Sequence, residues 1–179
     1  KRPVAFGEFV PDRAFFRLLA PDLIDLIPRG YSFGRRDGIF ELSKLHTKLG
    51  TMICFEVAVD DITRDLVQQG AEILVVQTNN SDFGTTNESA QQLAISKLRA
   101  IESGRVVVNI STVGLSAIIL PSGEVIDSLE AYKPGLMRQR LDLLVDKTPA
   151  MLFGGSIDLI MNFAALGIIV STVRRRVRV

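Results

Sequence analysis

The sequence predicts an α/β domain followed by one membrane-spanning helix. Three apolar runs that are typical of buried strands, 51–55, 73–76 and 106–110, alternate with two helical segments, 60–69 and 87–103. Strand, helix, strand, helix, strand in that order favours a parallel sheet with helices packed on it. A chain of 179 residues is long enough to bury one sizeable core.

Shorter elements are predicted around this central unit. Residues 3–11 form a loop bounded by prolines, and residues 12–27 have helical periodicity that Pro21 interrupts. Residues 39–42 predict a short strand. Residues 115–126 predict a hairpin, because two apolar runs flank the turn Pro-Ser-Gly-Glu.

The composition excludes several classes of function. A net charge of +1 gives no overall field that would favour nucleic acid. With one cysteine and one histidine, the chain has neither an internal disulfide nor the ligand set of a zinc site. We therefore expect no nucleic-acid partner, no metal and no cofactor.

The only cysteine, Cys54, lies at the end of an apolar run and is followed two residues later by Glu56. If the run continues as a strand, both side chains point the same way. This suits a thiol nucleophile with an acid/base group beside it. The alternative is a buried cysteine that acts as a small hydrophobic residue.

The segment 154–173 is almost wholly apolar and is followed by arginines at 174, 175, 176 and 178. Its 20 residues match the thickness of a bilayer, although Asp158 and Asn162 are costly there. The arginines predict that the tail 174–179 is cytoplasmic and that the preceding domain is extracytoplasmic. The alternative is a buried core helix with a solvated basic tail.

Several short motifs carry a family resemblance. They are Phe6-Gly7-Glu8-Phe9-Val10-Pro11, Ile53-Cys54-Phe55-Glu56, Gln69-Gly70-Ala71, Thr78-Asn79-Asn80, Gln91-Gln92-Leu93-Ala94, Leu98-Arg99-Ala100-Ile101-Glu102 and Thr148-Pro149 before the apolar segment. In this order they resemble the nitrilase-like, or carbon-nitrogen hydrolase, domain of apolipoprotein N-acyltransferases. Soluble nitrilases share the Cys-aromatic-Glu element and the Arg-Ala-x-Glu helix and lack the terminal span.

The resemblance implies a four-layer α-β-β-α sandwich, of which residues 1–153 would be the C-terminal part. It implies a Glu-Lys-Cys triad that takes an acyl chain from a phospholipid as a thioester. The chain then passes to the α-amino group of a lipoprotein's diacylglyceryl-cysteine. The expected partners are therefore the phospholipid donor, the lipoprotein acceptor and the bacterial cell membrane, with 154–173 as the transmembrane helix.

Carried over by position, Cys54 is the nucleophile, and Glu8 and Glu56 match two further essential carboxylates. The triad's glutamate base would lie upstream of Lys1, so the chain is expected to be a fragment. The triad lysine falls one residue further from Glu8 than Lys1 does, which favours a lysine directly before Lys1. Lys1 itself fits only if one residue of the loop is deleted.

Three positions depart from the family pattern, namely Asp82, Gln92 and Ala150, and such variants look like the actinobacterial branch. They put acyl or acceptor preference in doubt more than the reaction class. Two other functions stay open. One is a nitrilase-type amidase that hydrolyses C–N bonds of a small substrate, which predicts a soluble protein. The other is a non-catalytic scaffold that binds a partner.

The remaining motif residues have simpler interpretations. Arg99 and Glu102 are three apart on a helix and predict an ordinary ion pair. Asn79 and Asn80 are expected to satisfy the backbone of a turn. The apolar residues of 15–19 either contact lipid or an acyl chain, or form helix core.

Overall fold

A computed structural model describes residues 1–27, 30–35 and 37–177. Of the basic tail predicted at 174–179, positions 178 and 179 lie outside the described residues. The strands are β1 Ile39–Leu42, β2 Thr47–Ile53, β3 Ile73–Thr78, β4 Val106–Ser111, β5 Ser116–Ile119 and β6 Val125–Leu129. The α-helices are α1 Arg13–Leu19, α2 Pro21–Asp25, α3 Asp60–Gln68, α4 Glu88–Ser103 and α5 Pro149–Val177.

The six strands form one mixed sheet in the order in which they occur along the chain. Strands β2, β3 and β4 are parallel, with Thr51 opposite Val75 and Val75 opposite Val108. Strand β1 joins one edge and the hairpin β5–β6 joins the other, both antiparallel. The predicted α/β class and hairpin are confirmed, and the described residues supply one sheet of the expected sandwich.

Helices α3 and α4 cover one face of this sheet. Leu66 of α3 and Ala100 of α4 pack with Met52, Leu74 and Val107 of the parallel strands in a solvent-free core. Burial of such side chains contributes about 1.5–3 kcal/mol each. The opposite face is much more open: Ile53 of β2 and Ile110 of β4, on the two strands that flank β3, are 41% and 46% exposed.

The N-terminal region forms two short helices, because Pro21 ends the first and begins the second as predicted. Helix α1 has no buried residue, and Leu18 and Leu19 are 84% and 67% exposed. The helix-core alternative for Phe15 and Phe16 is therefore wrong within the described residues. Phe15 is exposed, whereas Phe16 is half-buried and contacts the rings of both Phe15 and Phe6 edge-on.

Arg105, directly before β4, anchors the extended segment around Val145 and Asp146 that leads to α5. Its guanidinium is buried and donates to the carbonyl oxygens of Ala71 at 2.8 Å, Val145 at 2.8 Å and Asp146 at 2.7 Å. Desolvation lowers the pKa of Arg105, and the nearby charges of Asp146 and Glu72 oppose this. The extended chain before α5 is thus held against the domain.

Candidate active site

The turn that carries Cys54 differs from the prediction. Strand β2 ends at Ile53, and Cys54 begins a 3-10 helix, Cys54–Ala58, so the predicted strand 51–55 is two residues too long. Cys54 has a backbone φ of 58°, a value that residues other than glycine rarely adopt. Such strained positions cluster at functional sites, because the surrounding structure must hold them. Cys54 is half-buried and free.

The buried carboxylate of Glu56 stabilises the Cys54 turn through hydrogen bonds to the backbone. Its side chain is buried, one carboxylate oxygen accepts the Ile53 N–H at 2.6 Å, and the other accepts the Arg2 N–H. Both oxygens therefore accept hydrogen bonds from backbone N–H groups, one in strand β2 directly before Cys54 and one near the N-terminus. Because the two residues lie on a 3-10 helix, the strand alternation from which Glu56 was placed beside Cys54 does not apply.

Glu8 and Lys1 meet next to the same turn. The Lys1 Nζ lies 2.6 Å from one oxygen of Glu8 and donates to the Ile53 carbonyl at 2.7 Å. The second Glu8 oxygen accepts the Val4 N–H at 2.9 Å. The structure thus brings together Lys1, Glu8 and the residue that precedes Cys54, across more than forty residues of sequence.

Gly7 allows the loop that carries Glu8 to pack closely against the turn that carries Cys54. A Cβ atom at Gly7 would lie 2.7 Å from the ring of Phe55, the residue after the cysteine. The Phe-Gly-Glu loop therefore rests on the Cys-Phe-Glu turn, and the two motifs form one site. A cleft of about 690 Å³ opens on the other side of Glu8 and is lined by Leu26, Ile27 and Tyr31 among others.

Arg99 is a site residue whose full role the sequence did not reveal. The predicted ion pair with Glu102 is present. The buried guanidinium also donates to the carbonyls of Val57 at 2.7 Å and Ala58 at 3.2 Å, and pairs with Asp60. It therefore clamps the far end of the 3-10 helix that begins with Cys54. The Arg-Ala-x-Glu motif was the available signal, but its partners lie about forty residues away.

Both asparagines after β3 make structural contacts, but only Asn79 satisfies the backbone of the turn as predicted, whereas Asn80 bonds to other side chains. Asn80 is buried; it donates to the Gln92 side chain at 2.9 Å and accepts from Ser111 at 2.9 Å. Asn79 accepts from the Ser81 N–H at 3.2 Å. Gln92 is buried as well and accepts a hydrogen bond from the Thr78 hydroxyl at 3.1 Å, which ties α4 to the end of β3.

The sequence and the fold of this chain are similar to those of known proteins. Residues 8–145 match the family model described as carbon-nitrogen hydrolase. The chain belongs to the carbon-nitrogen hydrolase family. This family match confirms the fold class that the motifs predicted.

Two relatives are named apolipoprotein N-acyltransferase. The protein from Mycolicibacterium smegmatis is 34% identical over 92% of this chain, which spans 27% of that relative. The protein from Bdellovibrio bacteriovorus is 38% identical over 69% of this chain, which spans 22% of that relative. The chain therefore spans about a quarter of the length of these curated relatives. The predicted resemblance to this group is confirmed.

One solved structure shows the fold alone. Nit3 of Saccharomyces cerevisiae, a member of branch 10 of the nitrilase superfamily, superposes with a TM-score of 0.51. It covers 57% of this chain and 40% of its own, at 16% identity. At that identity the likeness supports the architecture and says nothing about substrate.

Proposed function

We propose that this chain is part of a membrane-bound N-acyltransferase in which Cys54 carries a phospholipid acyl chain as a thioester to the α-amino group of a diacylglyceryl-cysteine lipoprotein. The observation that carries the proposal is a strained cysteine turn beside the Lys1–Glu8 pair, in a domain joined directly to an apolar helix. The curated relatives that share this sequence bear the same name.

In the first step, the Cys54 thiolate attacks the ester carbonyl of a phospholipid. The C–S bond forms, the ester C–O bond breaks, and the lysophospholipid leaves as its alkoxide oxygen takes the proton that the general base removed from the thiol. An ammonium group beside the turn stabilises both the thiolate and the developing oxyanion. The Lys1 Nζ supports this role because it already bonds the Ile53 carbonyl next to the nucleophile.

In the second step, the neutral amine of the acceptor attacks the thioester carbonyl. The C–N bond forms, the C–S bond breaks, and the amine's proton passes to a carboxylate as the thiolate is restored. Splitting one transfer into two steps lowers each barrier. The general base is the triad glutamate that the family resemblance places upstream of Lys1.

The two carboxylates of this chain take different roles in the proposal. Glu8 faces Lys1 and the open cleft, which supports a part in orienting the ammonium group and the substrate. Glu56 is buried with both oxygens on backbone N–H groups, which favours positioning of the nucleophile turn over proton transfer. Leu26, Ile27 and Tyr31 give this cleft an apolar side that suits an acyl chain, opposite the carboxylates of Glu8 and Asp82 that also line it.

The terminal helix supports a membrane setting. Helix α5 contains a 26-residue stretch, Pro149–Arg174, long and apolar enough to cross a bilayer. Every residue from 155 to 174 is exposed, which argues against a core helix within this chain. The arginines after Val173 support a cytoplasmic end and an extracytoplasmic catalytic domain. Donor and acceptor lipids would then meet the site in the same leaflet.

The test uses the intact membrane protein that carries this sequence, reconstituted in vesicles. With a phospholipid donor and a diacylglyceryl-cysteine peptide, we expect N-acylated peptide by mass spectrometry, and none from a Cys54→Ser variant. Release of ammonia from a small amide without acyl transfer would establish the amidase instead. Absence of both reactions in a folded protein would favour the scaffold.

A further inference from the structure

Helix α5 begins as part of the catalytic domain. The Thr148 hydroxyl donates to the Glu102 carbonyl of α4, and the Thr148 carbonyl accepts the N–H groups of Met151 at 3.0 Å and Leu152 at 3.1 Å. Met151 is only 2% exposed, whereas Leu152 is already 55% exposed. The first turn therefore packs on the domain, and the helix leaves it within a few residues.

A second contact lies two turns along the helix. The guanidinium of Arg64, on α3, donates to Asp61 at 2.6 Å and lies 3.6 Å from Asp158 of α5. It rests on a glycine pair: a Cβ at Gly154 would come within 2.8 Å of Arg64 Nη2, and one at Gly155 would lie 3.5 Å from Nη1. Each helical glycine costs about 1 kcal/mol relative to alanine, and here the pair makes room for the arginine.

The depth of Asp158 in the bilayer explains why its contact with Arg64 matters. A bilayer core is about 30 Å thick and takes about 20 helical residues. Counting back from Val173, the last residue before the arginines, the span begins near Gly154. Asp158 then lies about 6 Å inside the hydrocarbon edge at 1.5 Å per residue. An unpaired carboxylate is costly there, and the Arg64 guanidinium, which it shares with Asp61, is the cation that lies beside it in the described residues.

The buried state of Arg64 agrees with this position. Its side chain is 14% exposed although it belongs to a surface helix. Its Nε is buried and finds no acceptor among the residues that the structure describes. In this arrangement the Arg64 guanidinium reaches below the hydrocarbon edge to Asp158, while the backbone of α3 lies above it at the level of the lipid headgroups.

We propose that Arg64, Asp158 and the glycine pair Gly154–Gly155 form a membrane joint that seats the domain on the outer leaflet and fixes the height of Cys54 above it. The 3-10 helix that begins at Cys54 ends at Ala58, and helix α3 begins two residues later at Asp60. Helix α3 thus connects the turn that carries Cys54 to the contact with α5 at the bilayer. This inference rests on the proposed function for its purpose, while the seating itself is independent of the chemistry.

The seating is tested by energy transfer between a dye on Cys54 and a dye on lipid headgroups, in the intact protein in vesicles with other cysteines replaced. We expect Arg64→Ala and Asp158→Asn each to shift the transfer efficiency, and the exchange Arg64→Asp with Asp158→Arg to restore most of it. An unchanged efficiency in both single variants would overturn the joint. So would an exchange that behaves no better than the singles.

The glycine pair offers a matched control. Gly154→Ala pushes a methyl group into the Arg64 guanidinium, whereas Gly155→Ala makes an ordinary contact. Only Gly154→Ala should shift the dye distance, although both substitutions improve helix propensity equally. Equal behaviour of the two variants would refute a seat at Gly154.

Activity provides the second readout. Acyl transfer from vesicle phospholipid should fall about tenfold or more in Arg64→Ala, since small misplacements of a reacting group cost up to about 100-fold. The rate at which iodoacetamide alkylates Cys54 in detergent should stay at the wild-type value. Equal loss of both would show damage to the site and overturn the joint. Wild-type protein that never acylates Cys54 would refute the proposed function while the dye distances still judge the seating.

Discussion

Removal of the Arg99 guanidinium should loosen the turn that carries Cys54. In Arg99→Met, the carbonyls of Val57 and Ala58 lose their donors, and each hydrogen bond to a charged group contributes about 1.5–3 kcal/mol. Asp60 is half-exposed and can be solvated, so its pairing adds little. Part of the Ala58 bond is also replaceable by water. The free energy of unfolding should therefore fall by about 2–4 kcal/mol.

The assay is urea unfolding of the intact protein in detergent, with the rate of Cys54 alkylation as a second readout. Arg17→Met is the matched control, because Arg17 is 62% exposed and its ion pair with Asp25, at 3.2 Å, is a surface pair. Such pairs contribute about 0–1 kcal/mol. Arg99→Met should also change the alkylation rate, since the φ of Cys54 is held only by its surroundings. Equal destabilisation by the two variants, with alkylation unchanged, would refute the clamp.

Three further substitutions test the fold around the site. Glu56→Gln places an amide donor against a backbone N–H and should cost about 1–3 kcal/mol by urea unfolding; full stability would contradict its positioning role. Gly50→Ala brings a Cβ within 2.9 Å of the Ala71 Cβ and should cost about 1–3 kcal/mol by overpacking, whereas a neutral result would mean that α3 can move away. Arg105→Met frees the carbonyls of Ala71 and Val145, so limited proteolysis should cut near Val145 faster; an unchanged cleavage rate would show that the segment is held elsewhere.

The sequence predicted most helices and strands correctly, but it did not predict the turn that carries Cys54. Apolar runs such as 73–76 indicated the parallel strands, and Pro21 marked the break between α1 and α2, because these signals are local. The end of β2 was misplaced. The buried Glu56 carboxylate captures the N–H of Ile53 and curls the chain into a 3-10 helix, a side-chain effect that a run of apolar letters does not show.

The contacts that define the site are long-range, which is why residue patterns alone could not give them. Lys1 reaches the Ile53 carbonyl across 52 residues, and Arg99 reaches the Val57 carbonyl across 42. The family resemblance grouped Glu8 with Cys54 without giving their geometry. It could not show that Glu56 is buried with both carboxylate oxygens on backbone N–H groups, the contacts from which we propose a positioning role.

The lysine of the site stays open to a direct test. Spacing favours a residue directly before Lys1, whereas the contacts of the Lys1 Nζ with Glu8 and Ile53 favour Lys1 itself. Lys1→Ala in the intact protein should abolish acyl transfer under the second assignment and spare it under the first.

The central claim is that the sulfur of Cys54 holds an acyl group taken from a phospholipid. The most direct measurement incubates the intact protein with radiolabelled phospholipid in the absence of acceptor and maps the label by peptide mass spectrometry. We expect a label on the Cys54 peptide that neutral hydroxylamine removes. A folded, membrane-inserted protein that transfers acyl chains to lipopeptide while Cys54 stays unmodified, or that still transfers them as Cys54→Ser, would contradict it.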